Sequence, residues 1–231
     1  MAMPNNLFLI RHGESEGNVA IHNARSGDES AYTDEFVTTP DRNWQLTTKG
    51  ISQAQITGKW LKNTLKTLEE DFSNIRFYVS PFVRTRQTAG HLGLDAEWFL
   101  NRSLRERDWG DISTIPYREF LNASHYKFSA QKKKVDPLYW RPPGGESIVD
   151  VAENRVRNFL DTLHRKNSHN TVIAVTHGEF MRATRLVLER VDDETYLSWD
   201  EDPNERIENC EIFQYSRIRS EEGTNTDTRD I

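Results

Sequence analysis

The sequence has one cysteine, no long apolar run and no excess of positive charge, and each of these absences excludes a class of protein. Cys210 has no second cysteine to pair with, so the fold depends on packing and suits a reducing compartment. The formal net charge of -6 disfavours nucleic acid and anionic membranes as partners. No stretch approaches the roughly 18 apolar residues of a membrane span, and the N-terminus does not resemble a secretory leader. We therefore expect a soluble, cytoplasmic protein.

Apolar runs and helical periodicity alternate along the chain. Strands are predicted at 7–11, 75–80 and 171–176, with a further strand within 210–218. Helices are expected between them: one follows Leu46, one has Ser80 as its N-cap and Pro81 as its first residue, and one is capped by Ser147. This order predicts an α/β fold, a three-layer sandwich with a mostly parallel central sheet and helices on both faces.

The length of the chain favours a single domain over residues 1–218, interrupted by two excursions. The first, 19–45, is acidic and polar without clear periodicity, and the second, 111–143, is rich in aromatic residues and contains the basic run Lys132–Lys134. Segments this long usually cover or line a site, so we expect both to form walls of a ligand pocket. Residues 219–231 have almost nothing to bury and are predicted to be a disordered tail.

Two of the predicted strands end in a histidine followed by a glycine. The strand at 7–11 runs into "RHG" and the strand at 171–176 into "THG", which places His12 and His177 at the carboxyl ends of strands. In an open parallel sheet the ligand crevice lies at that edge, and a glycine beside each histidine lets a ligand approach the backbone. For either histidine alone, a hydrogen-bonded surface residue is an equally good interpretation. The pair favours one shared site.

Neutral imidazole is a nucleophile at physiological pH and can accept a phosphoryl group to form a phosphohistidine. Phosphoryl transfer then needs cations for the equatorial oxygens and an acid for the leaving alkoxide. Arg11 adjoins His12, and Arg84 and Arg86 lie near the start of a helix that follows a strand. Glu106, in "LRERDWG", is a candidate acid. Taken singly, each arginine is better interpreted as a surface ion pair and the glutamate as solvated.

A series of segments in order resembles one known family. The segments are "RHGESEGN", "LTTKGISQA", "SPFVRTRQTA", "LRERDWG", "GGES" and "VTHGEF". They are similar to the motifs of the histidine phosphatase superfamily, in its phosphoglycerate mutase-like branch, and the resemblance implies the fold of that branch. It selects Arg84 over Arg86. The roles that it implies are nucleophile for His12, phosphate binding for Arg11, Arg84 and His177, and general acid for Glu106.

Several further residues receive smaller roles. The resemblance makes Ser15 and Asn18 polar contacts of the pocket, and the glycine after the second histidine, Gly178, is a place where substrate can approach the backbone. Gly13 is expected to leave room for the phosphate. Ser15 is equally open to a role as a local turn contact, and Glu146 to one as an acid at a helix N-terminus.

Two departures from the mutase pattern favour a phosphatase. Mutases of this branch have a short segment after the first motif and a tyrosine three residues after the acid, whereas this chain has the excursion 19–45 and Trp109. We expect a phosphohydrolase that acts on small phosphomonoesters, with no metal and no other cofactor. A phosphoglycerate mutase-type isomerase and a non-catalytic phosphate-ligand or protein-binding module stay open as alternatives, as does the oligomeric state. Lys132–Lys134 is interpreted as a solvated charge run rather than a second anion site.

Overall fold

A six-stranded sheet lies at the centre of the molecule. The computed structural model describes residues 2–217 and 228–230. The strands are β1 (Asn6–Arg11), β2 (Ile75–Val79), β3 (Trp98–Leu100), β4 (Thr171–Thr176), β5 (Ile212–Ser216) and β6 (Thr228–Asp230). The helices are α1 (Glu16–Arg25), α2 (Asp34–Thr38), α3 (Thr48–Thr67), α4 (Val83–His91), α5 (Tyr117–Asn122), α6 (Lys127–Val135), α7 (Ile148–Asp150), α8 (Arg157–Lys166), α9 (Gly178–Leu188) and α10 (Asp193–Glu201). The strand order is β3-β2-β4-β1-β5-β6.

Strands β1 and β4 are parallel neighbours at the middle of this sheet. They pair in register from Asn6 opposite Thr171 to Arg11 opposite Thr176. Strand β2 runs parallel to the other side of β4, β3 runs parallel to β2, and β5 runs antiparallel to β1. The prediction of a mostly parallel sheet is therefore confirmed. Because β1 and β4 are adjacent and point the same way, the residues that follow them emerge side by side at one edge.

The sheet is buried on both faces, as β1 illustrates. Leu7 and Leu9 belong to a cluster with residues of α8 and α9, whereas Phe8 and Ile10 belong to a second cluster with residues of α3 and α4. All four side chains are fully buried, and each contributes roughly 1.5–3 kcal/mol to folding. Helices on both faces of one sheet confirm the three-layer prediction.

The long helical region after the second excursion begins as the sequence predicts. Ser147 caps α7, because its hydroxyl accepts a hydrogen bond from the amide of Asp150 at 3.0 Å and the Asp150 carboxylate accepts one from the amide of Ser147. Between α7 and α8 the backbone is π-helical over Val151–Val156, which the apolar periodicity did not predict.

The predicted start of α4 is wrong. The helix begins at Val83 with Phe82 as its N-cap, two residues after the cap expected at Ser80, and Pro81 lies outside it. The hydroxyl of Ser80 instead lies 2.9 Å from His177 Nε2. This tertiary contact decides the role of the serine, and it has no local signature in the sequence.

The excursion 19–45 is more ordered than its composition predicted. It contains the rest of α1 and all of α2, and α1 begins with a capping box formed by Ser15 and Asn18. Trp44 lies so close to α1 that a Cβ added to Gly17 would be 2.2 Å from its ring. The excursion is therefore ordered by a helix cap and a close side-chain contact, and not by a periodic pattern of apolar residues.

The excursion 111–143 folds around a small apolar cluster of its own. Phe120, Ala130 and Trp140 are its buried members, and Trp109, just before the excursion, packs against them. Helix α5 also contacts α1, so the two excursions touch each other.

The tail predicted over 219–231 lies mostly outside the described residues. Its one described part, Thr228–Asp230, forms β6 and pairs parallel with β5. The domain boundary expected at residue 218 also falls outside the described residues and stays a prediction. Of the described helices, none has both the length and the apolar composition that crossing a bilayer requires.

Candidate active site

The two histidines predicted to share a site lie side by side. His12 follows β1 and His177 follows β4, and their ring centroids are 5.1 Å apart in an edge-to-face arrangement. Both side chains are buried. The in-register pairing of the two strands is what brings together residues from opposite ends of the chain.

The surroundings of His12 fix its tautomer. His12 Nδ1 lies 2.7 Å from the carbonyl oxygen of Gly13, which can only accept, so Nδ1 carries the proton. Nε2 therefore has a free lone pair, and it accepts from Arg84 Nε at 3.2 Å. Burial, followed by the charges of Arg84 and Arg11, lowers the pKa of His12 well below its usual value. The ring is neutral at physiological pH, with a nucleophilic nitrogen inside the site.

Two guanidinium groups flank this nitrogen. Arg84 is buried, and its Nη1 donates to the carbonyl oxygen of Asp41 at 2.7 Å. Arg11 donates through Nη1 to the carbonyl oxygen of Ile207, and its buried Nε has no hydrogen-bond partner among the described residues. A buried cationic donor without a partner is costly, and an anion in the site would satisfy it. Arg86, the arginine that the sequence comparison did not select, is exposed.

His177 presents a second donor to the same cavity. The hydroxyl of Ser80 accepts from the amide of Phe82 and lies 2.9 Å from His177 Nε2, so the hydroxyl proton can be donated to Nε2. That arrangement leaves the proton of His177 on Nδ1, which is buried and has no partner among the described residues. Burial and the charge of Arg84 lower the pKa of His177 well below its usual value.

The first residue of α9, Gly178, lies against Arg11. A Cβ at this glycine would lie 3.4 Å from Arg11 Nε, an ordinary van der Waals distance, so the start of the helix is in direct contact with the arginine. The N-terminus of α9 adds backbone N–H groups at the same edge of the sheet.

Glu106 lies close to the two histidines. Its Oε2 is 3.9 Å from His177 Nδ1. Burial and then the nearby charge of Glu179 raise the pKa of Glu106 to about 7, against the opposing influence of Arg84. At neutral pH a large share of this carboxyl group is therefore protonated and can act as an acid.

The ligand atoms of His12, Glu106 and His177 all lie within 4.8 Å of one another, a spacing that a metal ion could also use. The charges favour a different ligand. Arg84 donates directly to His12 Nε2, and Arg11 has a buried N–H without a partner among the described residues, so a cation would meet two fixed positive charges. The site is better suited to an anion.

Gly13 packs tightly against the start of α3, and the room that it leaves for a phosphate stays a prediction. A Cβ there would lie 2.4 Å from the carbonyl oxygen of Gly50, and a Cβ on Gly50 would lie 2.1 Å from that of Glu14. The two glycines therefore let the start of α3 press against the loop after β1. The same loop is held by Gln53 Oε1, which accepts from the amide of Glu14, and by Thr88 Oγ1, which accepts from the amide of Gly13.

The loop that carries Glu106 is held by residues that the sequence analysis did not select. Arg155, buried in the π-helical segment, donates to the carbonyl oxygens of Arg105 and Glu106 and to the carboxylate of Glu146. Glu146 also accepts from the amide of Asp108, so it braces this loop rather than only complementing a helix. A buried arginine has no distinctive periodicity, and "GGES" was the one signal for this network.

Arg107 is a further brace of the same loop. It is buried and donates to the carbonyl oxygens of Glu146 and Trp140. Its guanidinium stacks on Trp109, with Cζ 4.5 Å from the ring centroid. Trp109 therefore acts in packing at the position where a mutase carries a tyrosine.

Ser15 and Asn18 lie at the start of α1, shortly after His12, and have different contacts. Ser15 is buried, and its hydroxyl accepts from the amide of Asn18 as part of the helix cap, which matches the local alternative for this serine. Asn18 is half-buried, and its Oδ1 accepts from Asn209 Nδ2. Asn209 was not selected from the sequence. Of the basic run, Lys133 stacks on Tyr117 at 4.6 Å, and Lys132 and Lys134 are exposed.

Comparisons with known proteins point to one family. The sequence model of the histidine phosphatase superfamily (branch 1) matches residues 7–216. Phosphoglycerate mutase-like protein AT74 of Arabidopsis thaliana is 32% identical over 196 residues, which are 76% of this chain and 55% of that protein. This chain thus spans little more than half the length of that relative. A 2,3-bisphosphoglycerate-dependent phosphoglycerate mutase of Methylorubrum populi is 30% identical over 202 residues, 83% of this chain and 82% of the mutase.

A solved structure shares the fold. The phosphoserine phosphatase of Entamoeba histolytica, in complex with 3-phosphoglyceric acid, matches with a TM-score of 0.63 at 23% identity. The match covers 90% of this chain and 89% of that one.

Proposed function

This chain belongs to the histidine phosphatase superfamily (branch 1), and we propose that it is a phosphohydrolase that cleaves small phosphomonoesters through a phosphohistidine on His12. The observation that carries the proposal is the state of His12. Its Nδ1 proton is held by the carbonyl oxygen of Gly13, its unprotonated Nε2 accepts from Arg84, and a ligand atom of Glu106, a carboxyl group with a pKa of about 7, lies within 4.8 Å.

The first step transfers the phosphoryl group to the enzyme. The Nε2 lone pair of His12 forms a bond to phosphorus as the bond between phosphorus and the ester oxygen breaks, and Glu106 gives its proton to the leaving alkoxide. Arg11 and Arg84 stabilise the charge on the equatorial oxygens, and His177 Nδ1 donates a hydrogen bond to one of them. The products of this step are an alcohol and a phosphohistidine.

The second step returns the enzyme to its starting state. Water attacks phosphorus, and the Glu106 carboxylate takes a proton from that water as the bond between His12 Nε2 and phosphorus breaks. Inorganic phosphate then leaves, and His12 is neutral again. We assign supporting contacts with the substrate to Asn18 and Gly178, and Ser15 acts through its hydrogen bonds to Asn18.

Two features support water rather than a second alcohol as the acceptor. Trp109 is packed under Arg107 and supplies no hydroxyl to the site. The excursion 19–45 reaches the site through the carbonyl oxygen of Asp41, which accepts from Arg84, where a mutase has only a short segment.

The proposal is tested by hydrolysis of para-nitrophenyl phosphate in the presence of a chelator. The wild-type protein is expected to retain its activity, and His12→Ala to lose at least about a thousandfold. Trapping with a labelled ester is expected to give an acid-labile phosphoenzyme that His12→Ala lacks. The control is His164→Ala, which removes an exposed histidine of α8. Undiminished activity of His12→Ala, or complete inhibition by the chelator, would refute the mechanism.

A phosphoglycerate mutase-type isomerase is the second candidate function, because the chain is 30% identical in sequence to the Methylorubrum mutase. The two are separated by offering 3-phosphoglycerate with a 2,3-bisphosphoglycerate primer. A phosphohydrolase releases inorganic phosphate, whereas a mutase forms 2-phosphoglycerate with little release. Interconversion faster than hydrolysis would replace the proposal with the isomerase.

A further inference from the structure

The segment Ile207–Cys210, between α10 and β5, touches the site from a part of the chain that the mechanism above does not use. The carbonyl oxygen of Ile207 accepts from Arg11 Nη1. The amide of Cys210 donates to the carbonyl oxygens of Arg11 at 3.2 Å and His12 at 3.3 Å. Cys210 has a φ of 64°, a left-handed conformation that a cysteine seldom adopts. The turn is held in this conformation by its contacts with the end of β1.

Within this segment, Asn209 connects two parts of the site. Its Nδ2 donates to the carbonyl oxygen of His12 at 3.0 Å and to Asn18 Oδ1 at 3.1 Å. A carboxamide nitrogen has two protons, and both are used. Asn209 therefore ties the backbone of the nucleophile to the side chain of Asn18.

The bonds to Asn18 fix which way its carboxamide faces. Its Oδ1 accepts from the amide and the hydroxyl of Ser15, each at 3.1 Å, as well as from Asn209. Rotating the group by half a turn would set Nδ2 against the Ser15 and Asn209 donors. Nδ2 is thus held on the side away from them, and it forms no hydrogen bond within the described part of the chain.

On the basis of the phosphohydrolase proposed above, we propose that Asn209 is a positioning residue that holds Asn18 so that Asn18 Nδ2 donates to the phosphoryl group. Without Asn209, Asn18 Oδ1 keeps only the Ser15 bonds, and the carboxamide can rotate. Asn209 itself touches no reacting atom, so its effect on the phosphoryl group passes through Asn18.

A double-mutant cycle tests this dependence. The variants are Asn209→Ala, Asn18→Ala and the pair, with the inhibition constant of inorganic phosphate, kcat/KM for an aryl phosphate and the melting temperature measured for each. Asn209→Ala is expected to weaken phosphate binding and lower kcat/KM about tenfold in the wild-type background, the usual effect of one hydrogen bond to a charged group. In the Asn18→Ala background the same change is expected to cost less than about threefold.

Two further variants sharpen the experiment. Asn209→Asp keeps the shape of the side chain but sets oxygen against the acceptors of His12 and Asn18, so its loss is expected to equal or exceed that of Asn209→Ala. The matched control is Asn204→Ala, an exposed asparagine of the same connection whose side chain donates to Asp202. It is expected to leave both constants unchanged.

The outcomes separate this inference from the proposed function. Equal losses from Asn209→Ala in the two backgrounds would overturn the positioning role, even while the wild-type protein hydrolyses the ester through His12. A wild-type protein that binds phosphate without hydrolysing esters would refute the phosphohydrolase. The double-mutant cycle, measured as phosphate affinity, would still test whether Asn209 acts through Asn18. A wild-type protein that does not bind phosphate would overturn both.

Discussion

Glu106 lies among charges that act on it in opposite directions. Burial and the carboxylate of Glu179 raise its pKa. The charges of Arg84 and Arg11 and a hydrogen bond from the backbone amide of Arg107 lower it, and the resulting pKa is about 7. An acid that gives up its proton in the first step must be protonated in the free enzyme. With this pKa the acid form is present near neutrality and is lost as the pH rises through about 7.

We predict a pH profile that follows this carboxyl group. For an alkyl phosphate, whose leaving group needs a proton, kcat/KM is expected to fall as the pH rises through about 7. Because Glu179 raises the pKa of Glu106, Glu179→Gln should lower that pKa and move the fall to lower pH, by an amount on the order of one unit. Stopped assays of phosphate release measure this pH dependence of kcat/KM. They run from pH 5 to 9, about two units on either side of the pKa of Glu106.

The control for that shift is Glu153→Gln, which removes an exposed carboxylate that pairs with Arg157. Its profile is expected to coincide with that of the wild type. A fall that stays in place in Glu179→Gln would contradict the assignment of Glu106 as the titrating acid.

The residues of the proposed active site were predictable where they stand in a motif at a strand end or a helix start. His12, His177 and Arg84 have such positions, and the sheet pairing then places them together. Arg155 and Asn209 were not predictable. Their roles consist of hydrogen bonds to residues tens of positions away, and no local spacing or propensity encodes such bonds.

At the scale of elements, the start of α3 and the loop after β1 are fitted together by Gly13 and Gly50. Each has a backbone carbonyl oxygen within 2.4 Å of the position that a Cβ would take. Backbone atoms cannot move aside as a flexible side chain can, so a methyl group at either glycine must separate the two elements.

We predict that Gly13→Ala and Gly50→Ala each lower the free energy of unfolding by about 1–3 kcal/mol and also lower kcat/KM, since the displaced loop carries His12. Gly90→Ala, in α4, meets no atom within 4 Å and should raise stability by up to about 1 kcal/mol. Urea denaturation and steady-state assays measure both effects. Equal stability of all three variants would show that the loop accommodates a methyl group.

Elements were predicted better than their ends. The buried strand β4 and the amphipathic helix α3 follow from long patterns of apolar residues, which tertiary contacts seldom override. The cap expected at Ser80 was wrong because a hydroxyl can serve either a helix end or a histidine, and only the folded sheet brings His177 within reach. The order in 19–45 was missed for the same reason, since Gly17 and Trp44 meet only in the fold.

At the scale of the whole molecule, apolar packing is unequal. Both faces of the sheet carry extensive clusters, whereas the cluster around Phe120 and Trp140 in the second excursion has few members, and Phe128 of the same excursion is exposed. Segments with few buried apolar contacts open at a lower free energy than the core to which they are attached.

We predict that this difference appears in hydrogen exchange. Amides of α5 and α6 are expected to exchange at least about tenfold faster than those of β1 and β4, followed by mass spectrometry at neutral pH. Both regions are measured in the same protein sample, so β1 and β4 serve as the reference under identical solvent conditions. Equal protection of α6 and β4 would mean that the excursion opens only with the rest of the fold.

Strands β1 and β4 are neighbours in space but enter the chain some 165 positions apart. During translation the first histidine leaves the ribosome long before its companion is made, and contacts between such distant segments form slowly. The proposed active site can therefore assemble only after β4 has been made and has paired with β1. Recovery of activity after dilution from denaturant is therefore expected to follow the pairing of β1 with β4. A fragment that ends before Thr171 lacks β4 and is expected to be inactive even if its helices form.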